Sequence, residues 1–152
     1  MQEIERKYLV DVTKWKPQSE GEQIIQAFLS NDKERIVRVR IKGNQAWLTI
    51  KGSTVGISRT ELEYSIPIDD ARILLEMSLD YPIEKVRFTE KHFDKTWEID
   101  VFNGENNGLI IAEVELESEH EEIILPDWIG EEVSYDNKYF NACLSQHPFT
   151  KW

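Results

Sequence analysis

The stretch EIERK, residues 3–7, places charged side chains at alternate positions close to the start of the chain. Successive side chains of a β-strand point to opposite faces, so a strand here gives one face to Glu3, Glu5 and Lys7 and the other to Ile4 and Arg6. Two carboxylates and an ammonium on one face need compensation from neighbouring strands or from a bound ion. The segment therefore predicts a charged strand face whose partners come from the rest of the chain.

Alternation with a period of two residues continues along most of the chain, between short segments rich in turn residues. It predicts eight strands, at residues 2–10, 22–30, 35–41, 46–51, 59–66, 83–92, 96–102 and 109–117. Helical patterns are found at residues 69–79 and 137–145, and a shorter helical turn is predicted at 128–133. We therefore predict a mainly β chain of the α+β class, with mostly antiparallel neighbours.

Charged residues occupy one face of seven of these eight strands, and the strand at 22–30 is the exception. A face exposed to water is common in antiparallel sheets, but such a face more often carries Thr, Ser, Gln and mixed charges. Here the charges come as pairs of like sign, such as Arg38 with Arg40 and Glu113 with Glu115. These pairs cost free energy unless a bound ion or an opposite neighbour compensates them.

An eight-stranded antiparallel barrel or flattened tunnel, with a charged interior and a few flanking helices, would bring these faces together. Its lining would hold the basic residues Lys7, Arg38, Arg40, Lys51, Arg59, Lys85 and Arg87 and the acidic residues Glu3, Glu5, Glu61, Glu63, Glu98, Asp100, Glu113 and Glu115. Buried ions rarely recover their desolvation cost through pairing alone. We therefore expect this interior to bind a charged ligand.

Length and composition limit the remaining possibilities. The 152 residues, 40% of them hydrophobic, are expected to form a single domain over residues 1–152. Cys143 is the only cysteine, so we expect no intrachain disulfide and a cytoplasmic location. We find no signal peptide and no run of membrane-spanning length, so no membrane association is expected. The formal charge of −11 argues against nucleic-acid binding.

Eight motifs in this order resemble those of the CYTH superfamily, also called triphosphate tunnel metalloenzymes. They are EIERK, VRVR, the lysine of LTIKG, RTELE, EKVR, WEID, AEVELE and the C-terminal VSYDNKYFNACL. In the last motif, Lys138 stands where a basic residue of the family usually faces the tunnel. The short chain is similar to compact bacterial members.

The resemblance implies a role for each charged group. Basic residues would hold the substrate phosphates, and these are Lys7, Arg38, Arg40, Lys51, Arg59, Lys85, Arg87 and Lys138. The metal ligands would be Glu3, Glu5, Glu113 and Glu115, and the catalytic residues Glu3, Glu5 and Lys7. Glu61, Glu63, Glu98 and Asp100 would orient the basic groups or bind a second ion. Oxygen ligands without a His or Cys cluster favour Mg²⁺ or Mn²⁺ over zinc.

Three functions are compatible with these residues. The first is hydrolysis of a small-molecule triphosphate, foremost inorganic tripolyphosphate, with a divalent metal ion. The second is that of a class IV type adenylate cyclase or a thiamine triphosphatase, either of which needs a pocket for an organic group. The third is non-catalytic binding of polyphosphate or nucleotides. The resemblance also makes a homodimer plausible.

Overall fold

The computed structural model describes residues 2–152, which contain nine strands and two short helices. The strands are β1 (Gln2–Val10), β2 (Glu22–Asp32), β3 (Arg35–Lys42), β4 (Gln45–Gly52), β5 (Ser58–Ile66), β6 (Leu79–His92), β7 (Lys95–Asn103), β8 (Ile110–Glu115) and β9 (Ile129–Glu132). The helices are α1 (Ile68–Glu76) and α2 (Asn141–Gln146), and single 3₁₀ turns lie at Gly104–Asn106, Asn137–Tyr139 and Phe149–Lys151.

The first eight strands close into a barrel in the order β5-β4-β3-β2-β6-β7-β8-β1, with every neighbouring pair antiparallel. Closure comes from a short pairing between β1 and β5, in which Glu3 lies opposite Arg59. The other end of β1 pairs with β9, which is an additional strand outside the ring of eight. The predicted closed eight-stranded antiparallel barrel is confirmed.

The register of the ladders keeps the charged residues on one face all the way round. Lys7 lies opposite Glu113 on β8, and Glu113 lies opposite Glu98 on β7. Across the next ladder, Asp100 lies opposite Arg87 on β6. Directly opposed residues of an antiparallel pair share a face. The charged faces of neighbouring strands therefore lie on the same side of the sheet, and this side is the interior of the barrel.

Apolar residues on the outer face form two cores. Ala71 of α1 packs with Val39 and Ala46, so this helix covers the outside of β3 and β4. On the opposite wall, Trp15 and Trp128 cover outward residues of β1, β7 and β8, with Trp97 fully buried beneath them. Burial of apolar surface in these two cores stabilises the barrel from outside. This contribution matters because much of the interior is charged.

A third core lies inside the barrel, which the sequence analysis did not predict. Phe28 and Ile83 have the same inward phase as the charged residues, because they lie opposite Arg38 and Gln26. They pack with Ala142 and Leu144 of α2 and with further apolar residues, Ile36, Phe102, Leu109 and Ile111. Helix α2 therefore packs on the apolar section of the interior.

The three predicted helical elements differ from the observed structure. The helical turn predicted at 128–133 is wrong, because residues 129–132 form β9 and pair with the part of β1 that β5 leaves free. The helix predicted at 69–79 ends at Glu76, and Leu79 already begins β6, with Asp80 at a positive φ of 55°. The helix predicted at 137–145 is interrupted at Phe140, which has an extended backbone. No helix within residues 2–152 is both long and apolar enough to cross a membrane.

Candidate functional site

A cavity of about 240 Å³ lies inside the barrel, beside the inner apolar core. Charged side chains from seven strands line it. Six are basic (Lys7, Arg38, Arg40, Lys51, Arg59 and Arg87), and six are acidic (Glu3, Glu5, Glu61, Glu98, Glu113 and Glu115). The remaining lining residues are Phe28, Ile36, Phe140, Asn141 and Ala142. The cavity therefore brings together twelve of the charged residues that the sequence analysis assigned to the interior.

Lys7 lies between two carboxylates. Its Nζ donates to Glu113 Oε1 at 2.8 Å and lies 3.3 Å from Glu5 Oε1. Burial alone would raise the pKa of Glu113, but Lys7, Arg87 and Lys85 lower it well below its usual range. Burial, reinforced by Glu113, raises the pKa of Glu5 to about 7. Glu113 is therefore the ionised partner of Lys7, and ionised Glu5 is an additional negative charge that lacks full compensation.

Glu3, on the same inward face of β1 as Lys7, contacts basic side chains of β4 and β5. Its Oε2 lies 3.0 Å from Lys51 Nζ and 3.9 Å from Arg59 Nε. The aromatic ring of Phe140 lies near both Arg59 and Lys7. Its centroid is 5.8 Å from Arg59 Cζ and 5.8 Å from Lys7 Nζ. The extended Phe140 thus places its ring, which favours contact with cations, against two of the basic lining residues.

Arg87 belongs to the most buried ion-pair network. Asp100 accepts two hydrogen bonds from its guanidinium, at 2.7 and 2.9 Å, and a third from Lys85 at 2.8 Å. Glu98 accepts from Arg87 Nη1 at 3.1 Å. Burial would raise the pKa of Asp100, but Lys85 and Arg87 lower it. Asp100 is therefore hydrogen-bonded to two cations, Lys85 and Arg87.

The two inward-facing arginines of β3, Arg38 and Arg40, have far less compensation. Arg38 donates to Thr49 Oγ1 at 3.2 Å and reaches Glu63 only at 3.9 Å. Burial and the neighbouring Arg40 lower the pKa of Arg38 to about 9. Arg40 donates from Nε to the amide oxygen of Gln26 at 2.8 Å and forms no ion pair with any carboxylate of residues 2–152. These guanidiniums are the cations of the cavity most available to an anionic ligand.

Four predicted residues do not line the cavity. Lys85 and Asp100 are buried in the wall, where they pair with each other. Glu63 is largely exposed at 43% of its side chain, and its carboxylate accepts from Thr49. Lys138 is exposed near the C-terminus, with Nζ 4.5 Å from the ring centroid of Trp152. The structure therefore does not bring Lys138 to the other predicted substrate ligands.

Sequence reasoning also missed uncharged residues of the site. Gln26 and Phe28 lie on β2, the strand without a charged face, but their inward phase follows from their positions opposite Arg40 and Arg38. Phe140, Asn141 and Ala142 reach the cavity from the segment that begins α2. The first two could have been found by extending the alternation to neutral residues. The last three depend on where the C-terminal segment packs.

The carboxylates suit a hard divalent cation in their chemistry, since all the available donors are oxygens. Burial and like charges raise the pKa of Glu5 and, with Glu3 among its neighbours, that of Glu115 as well. This crowding of negative charge is what a bound cation would relieve. However, no three His, Cys, Asp or Glu side chains of residues 2–152 converge as a formed metal site. Lys7 and Lys51 hold Glu113 and Glu3 instead.

A family model described as the CYTH domain matches residues 1–141. The chain belongs to the CYTH family. Two CYTH relatives are both named inorganic triphosphatase. The one from Acetivibrio thermocellus is 43% identical over 148 residues, which is 97% of this chain and 95% of the relative. The one from Nitrosomonas europaea is 35% identical over 151 residues, or 95% and 97% of the two chains.

A solved structure supports the same family membership. The crystal structure of an inorganic triphosphatase superposes with a TM-score of 0.68 and 32% sequence identity. The match covers 93% of this chain and 96% of the other. The resemblance to the CYTH family predicted from the eight sequence motifs is therefore confirmed, and it extends over nearly the whole chain.

Proposed function

We propose that this protein hydrolyses inorganic tripolyphosphate to diphosphate and phosphate inside the barrel, with a divalent metal ion. The observation that carries the proposal is the set of six basic side chains, contributed by β1, β3, β4, β5 and β6, around one cavity. Arginine binds phosphate oxygens through forked pairs of donors and lysine binds them as a point charge. A linear triphosphate could contact several of these groups at once.

The size of the cavity favours the inorganic substrate. About 240 Å³ lies below the roughly 300 to 1,000 Å³ that is typical of pockets for drug-sized organic ligands. An adenylate cyclase or a thiamine triphosphatase has to accommodate a ribose with a base or a thiamine group in addition to the phosphates. The names of the two CYTH relatives support the same substrate.

Glu3, Glu5, Glu113 and Glu115 are the residues that would hold Mg²⁺ or Mn²⁺. When bound, such an ion polarises phosphate oxygens and makes a coordinated water more acidic. Lysines that now contact Glu3 and Glu113 would be free to turn towards phosphate oxygens. In that arrangement the ion would compensate the carboxylates, and the phosphate oxygens would compensate the two lysines.

The roles of the protein groups follow from phosphoryl-transfer chemistry, which needs positioning and stabilisation of spreading negative charge. Arg38 and Arg40 anchor the phosphate chain, because they have the least compensation. Lys7 lies beside the proposed metal ligands and stabilises the terminal phosphoryl group. The oxygen of water bonds to the terminal phosphorus as the bridging P–O bond breaks, diphosphate leaves with the electron pair of that bond, and the proton that the water loses passes through solvent to the diphosphate.

Phosphate release from a panel of substrates tests the proposal. The purified full chain is incubated with tripolyphosphate, ATP or thiamine triphosphate in Mg²⁺, Mn²⁺ or excess EDTA, and Glu5→Gln is the control for contaminating phosphatases. We expect turnover of tripolyphosphate to exceed that of the organic substrates and to stop in EDTA. Release of cyclic AMP from ATP would support the cyclase instead, and tight binding without turnover would support a binder.

We also propose a domain organisation, a location and an oligomeric state for the protein. Residues 1–152 act as one CYTH domain, in the cytoplasm, where the single cysteine stays reduced. The chain binds no nucleic acid and no membrane, in agreement with its charge of −11. It functions as a homodimer, which sedimentation analysis of the purified chain would test.

A further inference from the structure

Gln26 is buried completely, yet it is an uncharged polar residue in a barrel whose other inward polar groups are mostly ionised. Its amide oxygen accepts the Nε–H of Arg40 at 2.8 Å. A guanidinium has donors only, so the contact also fixes the orientation of the amide, with its oxygen towards Arg40. The amide nitrogen of Gln26 then has no hydrogen-bond partner among residues 2–152. Leaving a buried donor unsatisfied costs free energy, which indicates that the contact with Arg40 is important.

We propose that Gln26 is a positioning residue that holds Arg40 in place for the triphosphate without neutralising its charge. This inference rests on the proposed function, because it assigns Gln26 a part in binding the same substrate. Binding Nε leaves both terminal nitrogens of Arg40 free, and they are the fork that binds phosphate oxygens in pairs. The amide supplies an acceptor of the right geometry and adds no negative charge.

A comparison with Arg87 shows why neutrality matters. Asp100 fixes the guanidinium of Arg87 with two hydrogen bonds, and it occupies one of the terminal nitrogens as well as Nε. A carboxylate at position 26 would compete with phosphate for Arg40 in the same way. It would also repel the substrate directly. The sequence therefore places an amide, rather than an acid, beside Arg40, which forms no ion pair within residues 2–152.

Two substitutions of Gln26 separate the effect of its hydrogen-bond acceptor from the effect of a charge at this position. Gln26→Met removes the acceptor, keeps the volume approximately and stays neutral, so the barrel should fold. Gln26→Glu keeps an acceptor but adds a negative charge. Gln23 provides the matched controls, Gln23→Met and Gln23→Glu, because it lies three residues earlier on β2 with an exposed side chain on the outer face.

The measurements are kcat and KM for tripolyphosphate, together with calorimetric affinity for tripolyphosphate in a chelator. For Gln26→Met we expect KM and the dissociation constant to rise about two- to tenfold, the usual effect of losing a hydrogen bond, with kcat nearly unchanged. For Gln26→Glu we expect a rise of about tenfold or more. The Gln23 variants should behave as wild type. Thermal unfolding shows whether each variant is folded.

A double-mutant cycle distinguishes positioning from general packing. In an Arg40→Ala background, Gln26→Met should have no further effect on KM, because its partner is already absent. An equal effect in both backgrounds, or wild-type affinity of either Gln26 variant, would overturn the inference. If wild type binds tripolyphosphate without hydrolysing it, the proposed function fails, but the affinities still decide the role of Gln26. If wild type does not bind it, both fail.

Discussion

Arg40 is the residue in which the anion-binding character of the site is clearest. It has no acidic partner among the described residues, so its removal should cost binding and leave the fold intact. We expect Arg40→Ala to weaken tripolyphosphate binding by about 1.5 to 3 kcal/mol, the contribution of a hydrogen bond to a charged group. Its free energy of unfolding in urea, without ligand, should equal or exceed that of wild type. Loss of folding would show that Arg40 is a structural residue.

Arg87 should behave differently although it lines the same cavity. Its removal leaves Asp100, which is 1% exposed, with Lys85 as its remaining cationic partner. Breaking a buried pair in this way is strongly destabilising, so we expect Arg87→Ala to lose about 3 kcal/mol of unfolding free energy in addition to substrate affinity. Replacing the whole buried network, in Arg87→Met with Asp100→Leu and Lys85→Met, should recover part of the stability but not the affinity, because no buried charge of the Lys85–Asp100 pair is then left alone. Equal stability of Arg87→Ala and wild type would contradict this account.

Glu5 allows a test that depends on pH. Its pKa is raised from 4.5 to about 7 in the folded protein, so the folded state holds its proton more tightly than the unfolded state. Ionised Glu5 therefore opposes folding, with no effect below about pH 4.5 and the full effect above about pH 7. In metal-free buffer, Glu5→Gln should be more stable than wild type at pH 8, and the two should converge at pH 4.5. Urea unfolding at both pH values measures the difference.

The same substitution should separate catalysis from binding. Glu5→Gln keeps the size of the side chain but removes a charge from the proposed metal site. We expect turnover to fall far more than tripolyphosphate affinity, whereas Lys7→Ala should lower both, because Lys7 contacts phosphate before and during the reaction. Single-turnover hydrolysis and calorimetry distinguish the two patterns. Parallel losses in both variants would remove the catalytic assignment of Glu5.

At the scale of single elements, α2 has an unusual position for so short a helix. Its Leu144 is fully buried in the inner core, and Asn141 and Ala142 line the cavity. We expect Leu144→Ala to cost about 2 to 5 kcal/mol of unfolding free energy, as for other large-to-small core substitutions. Ile73→Ala in α1 is the control, because Ile73 is 58% exposed and should change stability by less than about 0.5 kcal/mol. Similar effects of the two substitutions would show that α2 contributes little.

The elements also show how far the sequence predicts the structure. Strand positions and the inward phase of Lys7, Arg38 and Glu113 follow from local alternation, because the period of a strand is the same in any antiparallel sheet. No local alternation of this kind predicts the position of the C-terminal segment. Packing between distant parts of the chain determines whether residues 129–132 pair with β1. It also determines whether Phe140 or Lys138 approaches the cavity. Local patterns therefore predicted the barrel but not how its interior is completed.

At the scale of the whole molecule, the barrel of a protein of net charge −11 encloses six basic side chains together with six acidic ones. A bound polyanion should relieve the repulsion between Arg38 and Arg40, which have little acidic compensation, and stabilise the folded state. At about 100 times the dissociation constant, a ligand that binds only the folded state adds about 2.7 kcal/mol. For a chain of this size, tripolyphosphate in a chelator should therefore raise Tm by about 5 to 10 °C. Sulfate at the same ionic strength is the control, and an equal shift with both would indicate a salt effect.

The pairing of β1 with β8 also determines when the site can exist during synthesis of the chain. Lys7 and its partner Glu113 are separated by 106 positions, and Ser134, which accepts the backbone N–H of Lys7, lies 127 positions away. A ribosome has therefore made most of the polypeptide before the first strand can pair with β8 and β9. Until then, the unpaired backbone of the first strand can form non-native pairings or aggregate. Such distant contacts also make folding slow. The carboxylates of Glu3 and Glu5 would help to keep the unpaired strand soluble until β8 and β9 have been synthesised.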